Sequence, residues 1–317
     1  MRPCRLPLLL LVLCGAVLAD RAEAREDWFE PSAMGMGGAV RMLGNDMSVL
    51  RANPAAMSGR PIYLAGVSYS FYGRNRSHVF SSAGYDSKSS AFALGTAYSV
   101  HIETPPTPPT ELLNWSKVGD EENSQDTRTT HRWEVAVAYG LLDRRINPGL
   151  SVRILRSNYR LRPNTVRVSM DTGVVFWPHK LIGLGVAFQN FIPTKDANHP
   201  TRLSAGAALS VPTILDLEVD AVIDFTSSDV IKADVHGGLA VTALQLVIIR
   251  AGYYGDHGFT ENYLTWGLGV SLPIQQVTLK VDYAMRIELG PLDGPIREDR
   301  QEAPQRIWNT IGASLAF

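Results

Sequence analysis

Charged side chains recur at alternate positions along this chain, where they could bind ions or exchange protons. In LDLEVDAVIDF, Asp216, Glu218 and Asp220 occupy every second position, with apolar residues between them. Residues two apart on a strand share a face but lie about 7 Å apart, too far to ligate one metal ion without loop residues. Both cysteines, Cys4 and Cys14, lie in the first 24 residues, so thiolate sites are excluded from the rest. We therefore predict no metal site and no cofactor.

A larger set of acids and bases follows the same alternation in nearly equal numbers, and we expect them to face one common interior. In a narrow lumen such groups must pair or stay hydrated, because an isolated buried ion is very unfavourable. Two interpretations remain open: a structural salt-bridge network, or a polar conduit and gate. This predicted lumen charge network, with His236 on the same face, comprises Glu134, Arg153, Arg167, Asp171, Arg202, Asp216, Glu218, Asp220, Asp224, Lys232, Asp234, Arg250, Lys280, Asp282 and Arg286.

Catalytic signatures are absent from the sequence. Neither Gly-x-Ser-x-Gly nor His-Glu-x-x-His occurs, and no catalytic motif in the sequence includes His131, His236 or His257. The glycines at 35–38 precede no Gly-Lys-Ser/Thr, which argues against a phosphate loop. The formal net charge of -1 gives no reason to expect nucleic acid. We predict no catalytic residues and a protein that is not an enzyme.

The elements that carry these charges are strands, because apolar and polar residues alternate with a period of two from about residue 61 onward. QVTLKVDYAMR, for example, places Val277, Leu279 and Val281 on one face and Lys280 and Asp282 on the other. The predicted strands span 61–72, 76–84, 89–101, 129–142, 148–161, 165–178, 181–191, 201–212, 215–226, 230–242, 245–256, 261–272, 275–288 and 305–317.

Strand length separates the two architectures that fit so many strands, a soluble sandwich and a membrane barrel. The predicted strands are longer than the five or six residues typical of soluble proteins, and a tilted strand needs roughly nine to eleven residues to cross a bilayer. Aromatic residues near strand ends suit interfacial girdles; they are Tyr69, Phe71, Trp133, Trp177, Phe188, Phe225, Tyr253 and Trp308. These features favour an all-β fold, a transmembrane antiparallel β-barrel of about 14 strands.

The connections at the two ends of the predicted barrel also differ in length. If the first strand leaves the periplasm, the breaks at 143–147, 179–180, 213–214, 243–244 and 273–274 all fall on the periplasmic side and all are short. The two long connections, about 102–128 and 289–304, fall on the outer side. Short inner turns and long outer loops are the pattern of outer-membrane barrels.

The two ends of the chain indicate export and assembly. Residues 1–24 combine Arg2 and Arg5 with an apolar run and the triplet Ala22-Glu23-Ala24, which predicts a signal peptide. The terminal Phe317 ends an alternating strand and resembles the assembly signal of outer-membrane barrels. We therefore predict a protein of the outer membrane of a Gram-negative bacterium, with the barrel spanning 61–317.

The segment that precedes the barrel carries a family resemblance. AMGMGGAVRMLGNDMSVLRANPAAM resembles the start of the FadL/TodX-type outer-membrane hydrophobic-compound transporters, and looks closest to the shorter PorV-like members. The Asp-x-Gly strand and following hairpin in VSMDTGVVFWPHKLIGLGVAFQNF, and the stretches RAGYYG and WGLGVSL, are similar to later strands of that family. The resemblance implies a fourteen-stranded barrel in which residues 25–60 form a short N-terminal hatch or plug. Its anchors would be Gly35, Gly37, Gly38, Asp46, Asn53 and Pro54.

Function is predicted in ranked alternatives. The leading one is passive uptake of a hydrophobic small molecule, such as a fatty acid or a hydrocarbon. The second is a PorV-like, non-transporting scaffold or shuttle for secreted or surface proteins, and the third is a small polar-solute pore. In the predicted outer loop, Leu112, Leu113 and Trp115 would contact an apolar ligand or a partner, unless the loop is simply solvated. Expected partners are outer-membrane lipids, the barrel assembly machinery through the C-terminal strand, and a hydrophobic ligand or a secreted protein.

Overall fold

The computed structural model describes residues 30–43, 46–72, 77–103, 127–160, 163–193, 199–226, 231–256, 261–289 and 307–317. Helix α1 (Pro31–Gly35) and helix α2 (Val49–Ala52) are followed by a 3₁₀ helix (Pro54–Ser58). Within these ranges, no helix has the length and apolarity needed to span a bilayer. The predicted signal peptide and the outer-loop residues Leu112, Leu113 and Trp115 lie outside the described residues.

Fourteen antiparallel strands follow, and they form one closed barrel in which β1 pairs with β14. The strands are β1 (Tyr63–Tyr72), β2 (Ser77–Asp86), β3 (Phe92–Glu103), β4 (Arg128–Tyr139), β5 (Ile146–Tyr159), β6 (Thr165–His179), β7 (Ile182–Gln189), β8 (Arg202–Val211), β9 (Leu215–Asp224), β10 (Lys232–Ala243), β11 (Val247–Asp256), β12 (Glu261–Ile274), β13 (Val277–Glu288) and β14 (Ile307–Ala316). The predicted fold class is confirmed.

Strand β3 starts later than its alternation suggests, at Phe92 rather than residue 89. The reason is a turn closed by Asp86, whose Oδ1 accepts hydrogen bonds from the backbone N–H groups of Lys88 (2.8 Å) and Ser89 (3.3 Å). A carboxylate that bonds backbone groups two and three residues ahead competes with the strand ladder. The chain therefore reverses before the next strand can begin.

The two faces of the barrel differ sharply in polarity. On β9, Val219 is 50% exposed, whereas Glu218 and Asp220 on either side are fully buried. The exposed large hydrophobic residues of the other strands follow the same alternation, and charged, small and hydroxyl side chains lie inside. An apolar exterior around a polar interior reverses the arrangement of a soluble sandwich and is that of a barrel in a bilayer.

Strand connections at one end of the barrel are all short. They cover residues 87–91, 140–145, 180–181, 212–214, 244–246 and 275–276, whereas 104–127 and 289–306 join strands at the other end. Leu244 and Gln245 take φ angles of 52° and 58°, and the backbone N–H of Leu246 donates to the carbonyl of Ala243 (3.0 Å). A left-handed pair of this kind matches the twist of hairpin strands. The predicted division into short-turn and long-connection ends is confirmed.

Two of the predicted girdle aromatics face the lumen instead of the bilayer. Trp308 is paired across the sheet with the inward Arg286, whose guanidinium carbon lies 4.2 Å from the centre of its ring. Trp177 shares its strand face with the buried Val175 and packs against the apolar core. A position near a strand end does not determine the face, because each step along a strand reverses the side chain. The prediction was wrong for these two residues.

Candidate functional site

The described residues that precede β1, namely 30–43 and 46–60, lie inside the barrel and fill much of its lumen. We call residues 30–60, as far as they are described, the inner segment. Almost all of it is buried, and its apolar core includes Leu50 and Met57 packed beside Tyr85 and Val175 of the wall. The inward faces of β2, β3, β4 and β14 contribute alanines to the same cluster. Small inward side chains leave the room that a second layer of chain needs.

Strand β9 holds one side of the inner segment through two carboxylates. The Asp220 Oδ2 atom accepts hydrogen bonds from Arg41 Nη1 (2.9 Å) and from the backbone N–H of Val40 (3.2 Å). Glu218 Oε1 accepts one from the backbone N–H of Met42 (2.8 Å). Charge-assisted bonds of this kind are stronger than neutral ones. The acidic row of β9 therefore fixes three consecutive residues of the inner segment.

Strand β2 holds the other side through a three-membered cluster. Arg51 Nη1 contacts Glu30 Oε1 (3.1 Å), and Arg51 Nη2 donates to Ser81 Oγ (2.9 Å). Ser81 Oγ in turn donates to Glu30 Oε1 (2.7 Å). Gln189 of β7 donates to the carbonyl of Arg51 (2.7 Å). Because this cluster is buried, loss of either Glu30 or Arg51 would leave the other as an unpaired buried charge, which is strongly destabilising.

The Asn53-Pro54-Ala55 turn lies against two wall glycines. The Asn53 side chain accepts a hydrogen bond from the Ala55 N–H (3.2 Å) and donates one to the carbonyl of Arg41 (3.0 Å). A Cβ atom added at Gly149 would overlap the backbone of Ala55, and one added at Gly173 would overlap Asn53 Oδ1. The wall at this point accepts the turn because neither glycine carries a side chain.

The substitution Gly173→Ala is therefore expected to destabilise the protein by about 1–3 kcal/mol, as overpacking does in other cores. Urea unfolding of the protein refolded in lipid vesicles, followed by tryptophan fluorescence, measures this change. The matched control is Gly237→Ala, because a Cβ added at Gly237 meets nothing within 4 Å. Equal stabilities of the two variants would contradict the tight contact.

The other predicted anchors take different places. Gly37 and Gly38 have φ angles of 67° and 79°, and the Gly37 carbonyl lies 2.9 Å from His236 Nδ1 of the wall. Gly35 accepts a hydrogen bond from Thr265 Oγ1 (3.2 Å). Asp46 bonds within the segment, since it accepts from Ser32 Oγ (2.6 Å) and the backbone N–H of Ser48. Burial raises the pKa of Asp46, although these hydrogen bonds oppose the shift.

Several members of the lumen charge network form a buried cluster on β4 to β6. Arg153 contacts both Glu134 (3.3 Å) and Asp171, and donates to Asn190 Oδ1 (2.8 Å). Arg132, absent from the predicted network, contacts the other oxygen of Glu134 (3.0 Å). The alternation of the sequence places Arg132 on this same face, so that pattern could have identified it.

The remaining predicted charges also lie on inward faces, but in separate places. Arg250 pairs with Asp282 (2.6 Å), and Arg202 Nε lies 3.6 Å from Asp224 Oδ2. Asp216 lies 3.9 Å from Arg60. The strand alternation places four others on the inner side, namely Arg167, Lys232, Asp234 and Lys280. Within the described residues, no group of three His, Cys, Asp or Glu side chains is arranged to hold a metal ion.

A cavity of about 280 Å³ lies between the inner segment and the wall, towards the short-turn end. Its lining is mixed, with charged groups of both signs and apolar side chains. It includes Ser32, Met36, Asp46 and Met47 of the inner segment and Asp216, Ala240, Ile248, Arg250, Lys280 and Asp282 of the wall. This volume would hold a small molecule but not a long chain.

A layer of aromatic rings surrounds Arg286 in the half of the lumen nearer the long connections. Its guanidinium carbon lies 4.2 Å from the ring centre of Trp308, 4.7 Å from that of Tyr263 and 5.9 Å from that of Tyr254. From the sequence, Arg286 is one predicted lumen charge among many, and the rings around it were not predicted. The alternation of side chains along each strand could have identified these rings. Tyr254, Tyr263 and Trp308 share strand faces with predicted lumen charges or with the residues paired to them.

Phe317 follows the last strand at the short-turn end. Its backbone N–H donates to the carbonyl of Tyr63 (3.0 Å), and the two rings meet edge to face at 5.1 Å. This contact joins the end of β14 to the start of β1, where the barrel closes. The role of Phe317 as an assembly signal stays a prediction.

The closed antiparallel barrel with an apolar exterior and a filled polar lumen defines a transmembrane barrel of the outer-membrane type. Its fold is shared with solved transporters. The toluene transporter TbuX of Ralstonia pickettii matches with a TM-score of 0.64 and 10% identity, over 91% of this chain and 97% of that one. A FadL homologue of Pseudomonas aeruginosa gives 0.60 and 13%, over 91% and 98%. The toluene transporter TodX of P. putida gives 0.60 and 10%, over 91% and 97%.

These matches confirm the predicted FadL/TodX-type fold. At 10–13% identity they establish the architecture and carry no residue-level assignment. Neither a protein-family model nor a curated protein matches the sequence.

Proposed function

We propose that this protein is an outer-membrane channel for the passive uptake of a small hydrophobic molecule. The observation that carries the proposal is a lumen filled by the chain's own inner segment, with a cavity of about 280 Å³ left beside it. An open pore for polar solutes would need a continuous water-filled lumen, which this arrangement does not favour. The shared fold with two toluene transporters supports the same class of cargo.

The proposed route begins at the long-connection end and passes the aromatic layer. The molecule then moves around the inner segment and reaches the cavity near the short turns, or leaves sideways into the lipid. Residues 1–24 act in this scheme as the signal peptide, 25–60 as the hatch and 61–317 as the barrel of a protein in a Gram-negative outer membrane. Movement of the hatch requires rupture of the contacts to β9 or β2, so passage is gated.

The experiment that tests this function compares uptake in a deletion strain with uptake in the same strain complemented by the intact gene. Labelled toluene and a labelled fatty acid are supplied, and surface-exposed proteins are scored in parallel. We expect the deletion to slow uptake of at least one of these compounds and complementation to restore it. Unchanged uptake together with lost surface proteins would overturn the proposal in favour of the scaffold alternative.

A further inference from the structure

Arg286 is a buried cation whose partners among the described residues are aromatic rings. It is 8% exposed, and its Nε atom has no hydrogen-bond partner in the ranges that the structure describes. Among the residues that the structure describes, no carboxylate lies within ion-pair distance of its guanidinium. Asp282, four residues away on the same strand, is paired with Arg250. Within the described part of the chain the charge of Arg286 therefore has no fixed counterion, which is unfavourable for a buried guanidinium.

The rings around Arg286 form a continuous stack across neighbouring strands. His236 and Tyr254 stack at 4.4 Å, Tyr254 and Tyr263 stack at 5.4 Å, and Tyr263 meets Trp308 edge to face at 5.5 Å. Ring faces attract a guanidinium through its flat face. A carboxylate instead binds along its N–H edge, with two parallel hydrogen bonds. Cation–π contacts can thus hold Arg286 in place and leave that edge to a ligand.

The stack lies directly beside the inner segment. Thr265, which pairs across the sheet with Arg286, donates to the carbonyl of Gly35 at the end of α1. At the other end of the stack, His236 contacts the carbonyl of Gly37. A molecule that enters from the long connections would reach this layer before it met the segment that blocks its way.

From this geometry we propose that Arg286 and its ring stack bind a small aromatic monocarboxylate. This inference rests on the proposed uptake function and specifies the class of molecule that the channel takes up. The guanidinium edge receives the carboxylate, and the flat ring of the ligand stacks against the tyrosine and tryptophan rings in an offset or edge-to-face arrangement. A neutral hydrocarbon would gain the ring contacts alone. An aliphatic acid would gain the ion pair without the stacking.

The first test uses the intact protein in lipid nanodiscs, with empty nanodiscs as the background. Equilibrium dialysis with labelled benzoate measures binding, and unlabelled benzyl alcohol, hexanoate and inorganic phosphate are the competitors. We expect benzyl alcohol to compete at least tenfold more weakly than benzoate, because it lacks the charge, and hexanoate at least threefold more weakly. No benzoate binding, equal competition by benzyl alcohol or hexanoate, or displacement by phosphate as effective as by benzoate would each overturn the proposal.

The second test changes the guanidinium itself. Arg286→Gln should weaken benzoate binding at least tenfold and change toluene binding less than threefold, while Arg286→Lys should fall between it and the intact protein. The matched control is Arg156→Gln, because Arg156 is an exposed arginine on the outward face of a different strand, β5. Unchanged benzoate affinity in a folded Arg286→Gln variant would overturn the proposal. If that variant does not fold, the competition series on the intact protein decides.

Failure of this inference is distinguishable from failure of the proposed function. Toluene uptake that depends on the gene, without selective benzoate binding, would refute the carboxylate site and leave the uptake channel in place. Loss of surface proteins with normal uptake of every labelled compound would refute the channel itself.

Discussion

Deletion of residues 30–60 is expected to convert the closed barrel into a water-filled pore, with a single-channel conductance at least about tenfold above that of the intact protein. The reason is that the inner segment occupies the lumen, while the wall behind it carries Glu218, Asp220, Glu134 and Arg153. These groups are hydrated as soon as the segment is gone. The strand ladder closes without the segment, since β1 pairs directly with β14.

Planar-bilayer recordings measure this conductance, and heat-modifiable migration on a gel verifies that the deleted protein folds. The double variant Glu218→Ala/Asp220→Ala offers a milder comparison, because it removes the β9 contacts and retains the inner segment. We expect brief openings from it and a steady open state from the deletion. A folded deletion variant that conducts no more than the intact protein would contradict a lumen closed by this segment.

Removal of Arg153 is expected to destabilise the barrel by roughly 3–5 kcal/mol, which is the scale found when one partner of a buried ion pair is lost. Arg153 contacts Glu134, Asp171 and Asn190, and both acids are fully buried. In Arg153→Met, Arg132 still neutralises Glu134, but Asp171 loses its cation. The penalty arises from that remaining carboxylate.

Urea unfolding in lipid vesicles at neutral pH measures the loss. Arg156→Met is the control, since it removes the same side chain from the exposed face of the same strand. The double variant Arg153→Met/Asp171→Asn should regain a substantial part of the lost stability, because it removes the unpaired acid as well. If the single and double variants unfold alike, the charge of Asp171 is not the cause.

The strands of the barrel wall were predictable because the rule that identifies them, the alternation of apolar and polar residues, is local. A period of two identifies a strand and its lipid face from a dozen residues, as at Val219 between Glu218 and Asp220. The same rule located the lumen charges on inward faces. Trp177 and Trp308 obey the same rule, but nearness to a strand end predicts a girdle position for both and is wrong. Trp177 lies two positions from the inward Val175, and Trp308 lies two positions from the inward Thr310, so alternation alone predicts that both rings face the lumen.

The partners inside the lumen were not predictable, because they join residues far apart in sequence. Arg41 meets Asp220 across 179 positions, and nothing in the alternation of β9 selects that arginine. Arg286 illustrates a second limit, because a balanced set of charges does not show which of them pair. Acids and bases balance over the whole set, yet the structure gives this guanidinium aromatic rings rather than a carboxylate. The rings belong to β11, β12 and β14, which are consecutive with β13 in the sheet, and alternation places them on the inward face.

The two charged attachments of the inner segment have a mechanical consequence. Strand β2, which holds Glu30 and Arg51, and strand β9, which holds Arg41, lie seven strands apart in either direction around the ring of fourteen. The segment therefore acts as a strut across a diameter of the barrel. The hydrogen bond from Asn53 to the carbonyl of Arg41 links the part attached to β2 with the part attached to β9. A hollow cylinder yields most readily by flattening into an ellipse, and a strut along one diameter resists that mode. Lateral pressure from the membrane would then be borne partly by a short stretch of chain that never touches lipid.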